Sequence, residues 1–161
     1  MVTNSMIRLV KGQLARVLYE PLYQRLLTFA NTYTCELMGE PTVDLWLQRL
    51  FAGDQRLHIL VELDQATFKI TEHAVIDVQE TAPGQCIVVC HQVQHDKANL
   101  DTIGVGHEYM MKLASEVGAQ AIVFFVEKHS KAMERRFGYK TVRTVMIKSL
   151  VDNGEDSTVE G

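Results

Sequence analysis

The chain of 161 residues is 47% apolar and 22% charged, with 20 acidic residues against 16 basic ones and a net charge of −4. That balance fits one domain with a substantial core, speaks against general nucleic-acid binding, and includes no apolar run long enough to span a membrane as a helix. Three cysteines (Cys35, Cys86, Cys90) without C-x-x-C spacing, behind an N-terminus with no basic stretch before an apolar one, predict reduced thiols and a cytoplasmic setting.

Met6–Val10 reads as a short first strand. From Lys11 to Met38, Leu14, Leu18, Leu22, Leu26, Ala30 and Tyr33 recur at helical intervals, and Pro21 predicts a kink or two abutting helices. Gly39-Glu40-Pro41 reads as a break. A second helix capped by Thr42 or Asp44 then carries Leu45, Trp46, Leu47, Leu50 and Phe51 up to Gly53. Three strands are expected at Leu57–Leu63, Phe68–Gln79 and Gln85–Gln94, the last two joined by the turn Thr81-Ala82-Pro83-Gly84. Alternation in the third puts Cys86, Val88 and Cys90 on one face and Ile87, Val89 and His91 on the other; an unbroken strand would add His95 to the His91 face.

After a polar stretch from His95 to Leu100, Asp101-Thr102-Ile103-Gly104-Val105-Gly106 reads as a loop opening a helix. The apolar face of that helix is Val105, Tyr109, Met110, Leu113, Ala114 and Val117, and Gly118 closes it. Ala121–Val126 reads as a strand buried on both faces, Ser130–Phe137 as a short helix ended by Gly138, and Lys140–Lys148 as a last alternating strand.

Two glycines at a loop-to-helix junction suit an anion, because backbone N–H groups can approach it closely and the helix terminus adds orphan donors and partial positive charge. Lys128, Lys131, Arg135, Arg136, Lys140, Arg143 and Lys148 follow, with Glu134 the one acid among them. They read either as a solvated face or as a patch that meets phosphate. Residues 152–161 are acidic and read as a flexible tail. No G-x-S-x-G elbow, Walker loop or H-E-x-x-H occurs, and Cys86, Cys90 and His91 lack the further ligands a zinc site needs.

The element order, the Gly104-Val105-Gly106 loop with its helix, and the segment from Ala132 to Tyr139 resemble the GNAT superfamily of acyl-CoA N-acyltransferases over roughly residues 6–150. The resemblance implies an α/β (α+β) fold, a mixed and mostly antiparallel central sheet flanked by about four helices. It implies one acyltransferase domain over residues 1–150, with the acidic flexible tail at 151–161. It also implies acetyl-CoA as co-substrate and an amine acceptor that the residues do not identify. The pyrophosphate of coenzyme A would rest on the amides of Ile103, Gly104, Val105, Gly106 and His107, with Lys131, Arg135 and Arg136 toward its 3′-phosphate.

The chain departs from the family pattern at two places. Asp101 stands where the family has Gln or Arg, and Glu134 stands where it often has a tyrosine that protonates the leaving thiolate. Glu134, if its pKa is raised, is the candidate acid, while Glu80, His91 and His95 are candidate bases. Tyr139 fills an aromatic position that normally serves packing. The departures leave a second expectation: a GNAT-fold binding or structural protein without the reaction, for example a bacteriophage virion component with an assembly partner in the virion. An edge strand over Thr141–Lys148 would support a homodimer.

Overall fold

Five strands and five helices arise from these patterns in the computed structural model, which describes residues 5–33, 36–95, 100–125 and 130–142. β1 (Ser5–Leu9) leads into α1 (Gly12–Val17), α2 (Tyr19–Tyr33) and α3 (Glu36–Phe51). Then come β2 (Leu57–Asp64), β3 (Ile70–Ala82), β4 (Gln85–His95), α4 (Leu100–Val117), β5 (Ile122–Phe124) and α5 (Ser130–Phe137). The sheet order is β1-β2-β3-β4-β5; the first four strands are antiparallel and β5 runs parallel to β4. This is the mixed, mostly antiparallel sheet that was expected.

Alternation along the strands sorts the core into two halves. Leu57, Ile59, Val61 and Leu63 of β2 and Val75 of β3 meet Leu18, Leu22, Leu26, Val43, Trp46 and Leu47 from α1–α3 and the α1–α2 junction. Leu60, Ile76, Val88 and Cys90 face the other way, onto Met110 and Leu113 of α4. The sheet is therefore sandwiched, with α2 and α3 on one face and α4 on the other.

Several expected boundaries move. The first helical stretch divides at Leu18, not at Pro21, which lies in the first turn of α2 where a missing N–H breaks no helical bond. Gly39-Glu40-Pro41 lies inside α3 and is no break. Gly39 is buried, and a Cβ there would sit 2.7 Å from Asn31 Oδ1 and 3.2 Å from Ala30 Cβ. The glycine therefore serves close approach of α3 to α2. β5 is shorter than expected and half-buried throughout. Residues 138–142 form no strand, and the remainder of the expected last strand and the tail lie outside the described residues. Among the described residues, no helix is long and apolar enough to cross a membrane.

The β3–β4 ladder contains one irregularity that matters for everything below. Val75 pairs with Gln92 and the next residue, Ile76, pairs with Cys90, so His91 is an extra residue with no opposite number. Such a bulge bends its strand and increases the local twist. Val93 beyond it packs in the α4 half of the core, so the alternation is reversed. The expectation that positions 91 and 95 share a face assumed an unbroken strand and fails for that reason.

Candidate functional site

β4 and β5 share three rungs, Val88↔Ile122, Val89↔Val123 and Cys90↔Phe124, closed by the Phe125 N–H donating to the Cys90 carbonyl at 3.2 Å. β4 then continues to His95 while β5 has ended. Among the described residues the pairing of the two strands stops there, beside the His91 bulge, and this is the parting referred to below. Between α4 and the sheet lies an apolar slot that runs from Ile7 of β1 across Leu60 and Glu62 of β2 and Glu72, Ala74 and Ile76 of β3 to Val93 of β4 and Phe124 of β5, with Gly106, His107 and Met110 of α4 as its other wall. A Cβ on Gly106 would meet nothing within 4 Å, so the space beside it is open.

α4 opens at Leu100, earlier than the glycine pair suggested. With Leu100 the first helical residue, the N–H groups left without helical acceptors include those of Leu100, Asp101 and Thr102. Of the residues expected to cradle a pyrophosphate, Ile103 comes directly after that set, as the first intrahelical donor. Gly104, Val105, Gly106 and His107 fall in the second turn, and Gly106 and His107 contribute to the slot wall instead. Lys131 and Arg135 are exposed on α5. That helix is tied to the slot by Phe137, which stacks on His107 with centroids 4.3 Å apart and lies under the Arg136 guanidinium at 5.4 Å.

Tyr139 follows α5 and reaches the same place. Its ring stands edge-on to Phe124 at 5.2 Å and to His107 at 5.5 Å. Its hydroxyl is buried and has no hydrogen-bond partner among the described residues. Burial, with Cys90 nearby adding to it, pushes its pKa up to about 12. An unpaired buried hydroxyl is costly, so packing alone does not explain a tyrosine here. Burial also favours the uncharged imidazole of His107 and pushes the Cys90 thiol far up, leaving it inert.

The α2/α3 side of the parting is polar. The His91 ring lies near Trp46 at 5.5 Å and stacks with Phe125 at 5.8 Å, and its Nε2 is 3.8 Å from Asp77 Oδ2. Asp77 is 6% exposed and receives two bonds from Arg49, Nη1 to Oδ2 at 3.0 Å and Nη2 to Oδ1 at 2.8 Å. Arg49 Nε also donates to Asp54 Oδ2 at 2.8 Å. Burial alone would raise the Asp77 carboxyl; the His91 ring and the Arg49 guanidinium beside it outweigh that and hold the group well below the usual carboxylate range. Asp77 is thus a fixed anion beside His91. An acid in the middle of an apolar strand was the sequence signal for it.

Of the three candidate catalytic residues, the structure brings His91 to the parting. Glu80 is exposed and pairs with Cys86, four residues back from Cys90 along β4, or about 13 Å at strand rise. Glu134 is exposed, and its Oε1 accepts from the Thr141 hydroxyl at 2.7 Å and the Thr141 N–H at 3.3 Å. Among the described residues, no group of three or more His, Cys, Asp or Glu is arranged to hold a metal ion.

No family model matches the sequence, and no curated protein is similar to it. Solved structures are similar over almost the whole chain. A predicted acetyltransferase from Clostridium acetobutylicum, solved with acetyl-CoA, superposes with a TM-score of 0.66 at 11% identity, covering 91% of this chain and 96% of that one. A GCN5-related N-acetyltransferase from Ralstonia eutropha gives 0.64 at 17% identity, covering 91% and 99%. Glucosamine-6-phosphate N-acetyltransferase from Arabidopsis thaliana gives 0.63 at 12%, covering 92% and 99%. The chain has the fold of the GNAT acetyltransferases.

Proposed function

We propose that the protein is an acyl-CoA-dependent N-acyltransferase, with acetyl-CoA as donor and an amine as acceptor. The observation that carries this reading is the apolar slot between α4 and the sheet, which reaches Phe124 at the end of β5, lies open beside Gly106 and sits about one and a half helical turns below the free amides of α4. A pantetheine arm suits an apolar slot, and a pyrophosphate suits a helix N-terminus. Lys131 and Arg135, exposed on the helix docked against His107, are the cations that would meet the outer phosphate in this reading.

Acid and base then fall on opposite faces of the sheet. His91, with Nε2 at 3.4 Å from the Gln79 amide nitrogen and 3.8 Å from the Asp77 carboxylate, accepts the proton from the amine on its ring, and the fixed anion stabilises the imidazolium that forms. The amine nitrogen attacks the thioester carbonyl, and outward N–H groups of β4 beyond Cys90 stabilise the oxyanion. As the C–S bond breaks, the thiolate takes its proton from the Tyr139 hydroxyl. A phenol kept protonated by burial can serve in this way. Tyr139 thus takes over the role that position 134 was expected to play.

Calorimetry with acetyl-CoA tests the reading, followed by thioester turnover on a panel of amines. Saturable binding with turnover is expected. An absence of binding at millimolar ligand overturns it. Binding without turnover on any amine would favour the second reading, a fold that holds the coenzyme without the reaction; the engagement of Glu134 by Thr141 is the observation on its side.

A further inference from the structure

Behind the parting, on the α2/α3 face, three polar side chains from three elements run in line to the bulge. Arg25 of α2 donates from Nε to His73 Nδ1 at 2.9 Å, and its terminal nitrogens donate to the carbonyls of Ile70 at 3.2 Å and Thr71 at 2.8 Å, where β3 begins. A guanidinium has only donors. His73 Nδ1 is therefore an acceptor, and the ring proton resides on Nε2. That proton is donated to Gln92 Oε1, 3.0 Å away, and the Gln92 NH2 is thereby turned toward the Leu26 carbonyl of α2 at 3.5 Å. His73 and Gln92 are 2% and 4% exposed, so losing a bond in this chain strands a buried polar group.

The position of Gln92 gives the chain its meaning. Gln92 follows the unpaired His91 and stands opposite Val75. If the extra residue moved one place along β4, alternation would turn Gln92 over to the α4 face, among Ile76, Val88 and Cys90. Its amide would then be out of reach of His73. The chain of bonds is complete in one phase of the bulge, and that phase fixes where β4 leaves β5.

We infer that Arg25 is a positioning residue for the slot: acting through His73 and Gln92, it locks the bulge at His91 and so sets the point of strand parting. The consequence for coenzyme binding rests on the function proposed above; the locking itself does not.

The test compares the full chain with Arg25→Lys and Gln92→Met, both assayed well below their melting temperatures. Backbone hydrogen exchange in the ligand-free proteins should quicken about 10-fold at Phe125 and at residues 91–93 while β1 and β2 stay as they were. Imidazole nitrogen shifts of the unsubstituted protein should show His73 protonated at Nε2 and bare at Nδ1, and acetyl-CoA should bind both variants about 10-fold more weakly. Unchanged exchange at the bulge, or exchange that quickens evenly across the sheet, overturns the inference, as does altered exchange with unaltered acetyl-CoA affinity. If the unsubstituted protein binds no acetyl-CoA, the proposed function fails, and the exchange pattern still decides the locking.

Discussion

The two faces of the sheet meet at the same parting and are finished differently. On the α2/α3 face each buried polar group has its partner: Asp77 holds Arg49, and His73 holds both Arg25 and Gln92. On the α4 face the lining is apolar, one helix position carries no side chain, and the one buried polar atom without a partner among the described residues is the Tyr139 hydroxyl. A satisfied face is rigid before any ligand arrives. An unsatisfied face with room beside it is completed by a ligand. Under the proposed function, the donor molecule would take the α4 face and the proton acceptor, with its fixed anion, the other.

The largest expected effect comes from filling the open face. Gly106→Glu places a carboxylate in the slot and should weaken acetyl-CoA binding about 1000-fold, or about 4 kcal/mol by calorimetry. Thermal stability should hold or rise, because glutamate is the better helix former. Retained affinity would show that the slot is not the donor site.

Opening the satisfied face should register as stability. Asp77→Asn leaves Arg49 without its buried partner and should cost about 3 kcal/mol in urea unfolding at neutral pH. The sign of the pH dependence follows from the lowered Asp77 pKa. Its contribution is complete above the unfolded carboxylate value of about 4 and fades as pH falls toward the native value. The acid limb of the stability profile should therefore be shallower in Asp77→Asn than in the unsubstituted protein.

Tyr139→Phe separates the two faces most sharply. Removing an unpaired hydroxyl should leave stability equal or raise it by up to about 1 kcal/mol, while turnover falls about 100-fold. A loss of stability with turnover intact would return Tyr139 to packing. The smallest effect is expected from Asp101→Gln, which removes a negative charge from the first turn of α4 and should tighten acetyl-CoA about 3-fold, read by calorimetry at low salt.

Much of the scaffold was legible because period-2 alternation survives in β2, in β3 and in β4 as far as the bulge, and helical spacing survives in α2 and α4. The site was less so. Glycines at 104 and 106 cost helix propensity and so read as a loop, yet packing of Tyr109, Met110 and Leu113 carries the helix back to Leu100. The bulge adds one residue without changing the composition of β4, so its one trace in the sequence was a pair of polar residues, His91-Gln92, inside an apolar run. Asp77 and Arg49 are 28 positions apart, and their pairing depends on how α3 lies on the sheet. Tyr139 was legible as an aromatic; that its hydroxyl is left bare depends on where α5 docks.

Gly39 touches none of these groups and still sets a dimension of the site. The missing side chain lets α3 lie so close to α2 that a Cβ at position 39 would stand only 3.2 Å from Ala30 Cβ. α2 carries Arg25 and α3 carries Trp46 and Arg49. The gap between the two helices is therefore a tolerance held for both polar groups of the α2/α3 face at once. One methyl group at position 39 would be felt at His91 and at Gln92 together, although neither lies beside it in the fold.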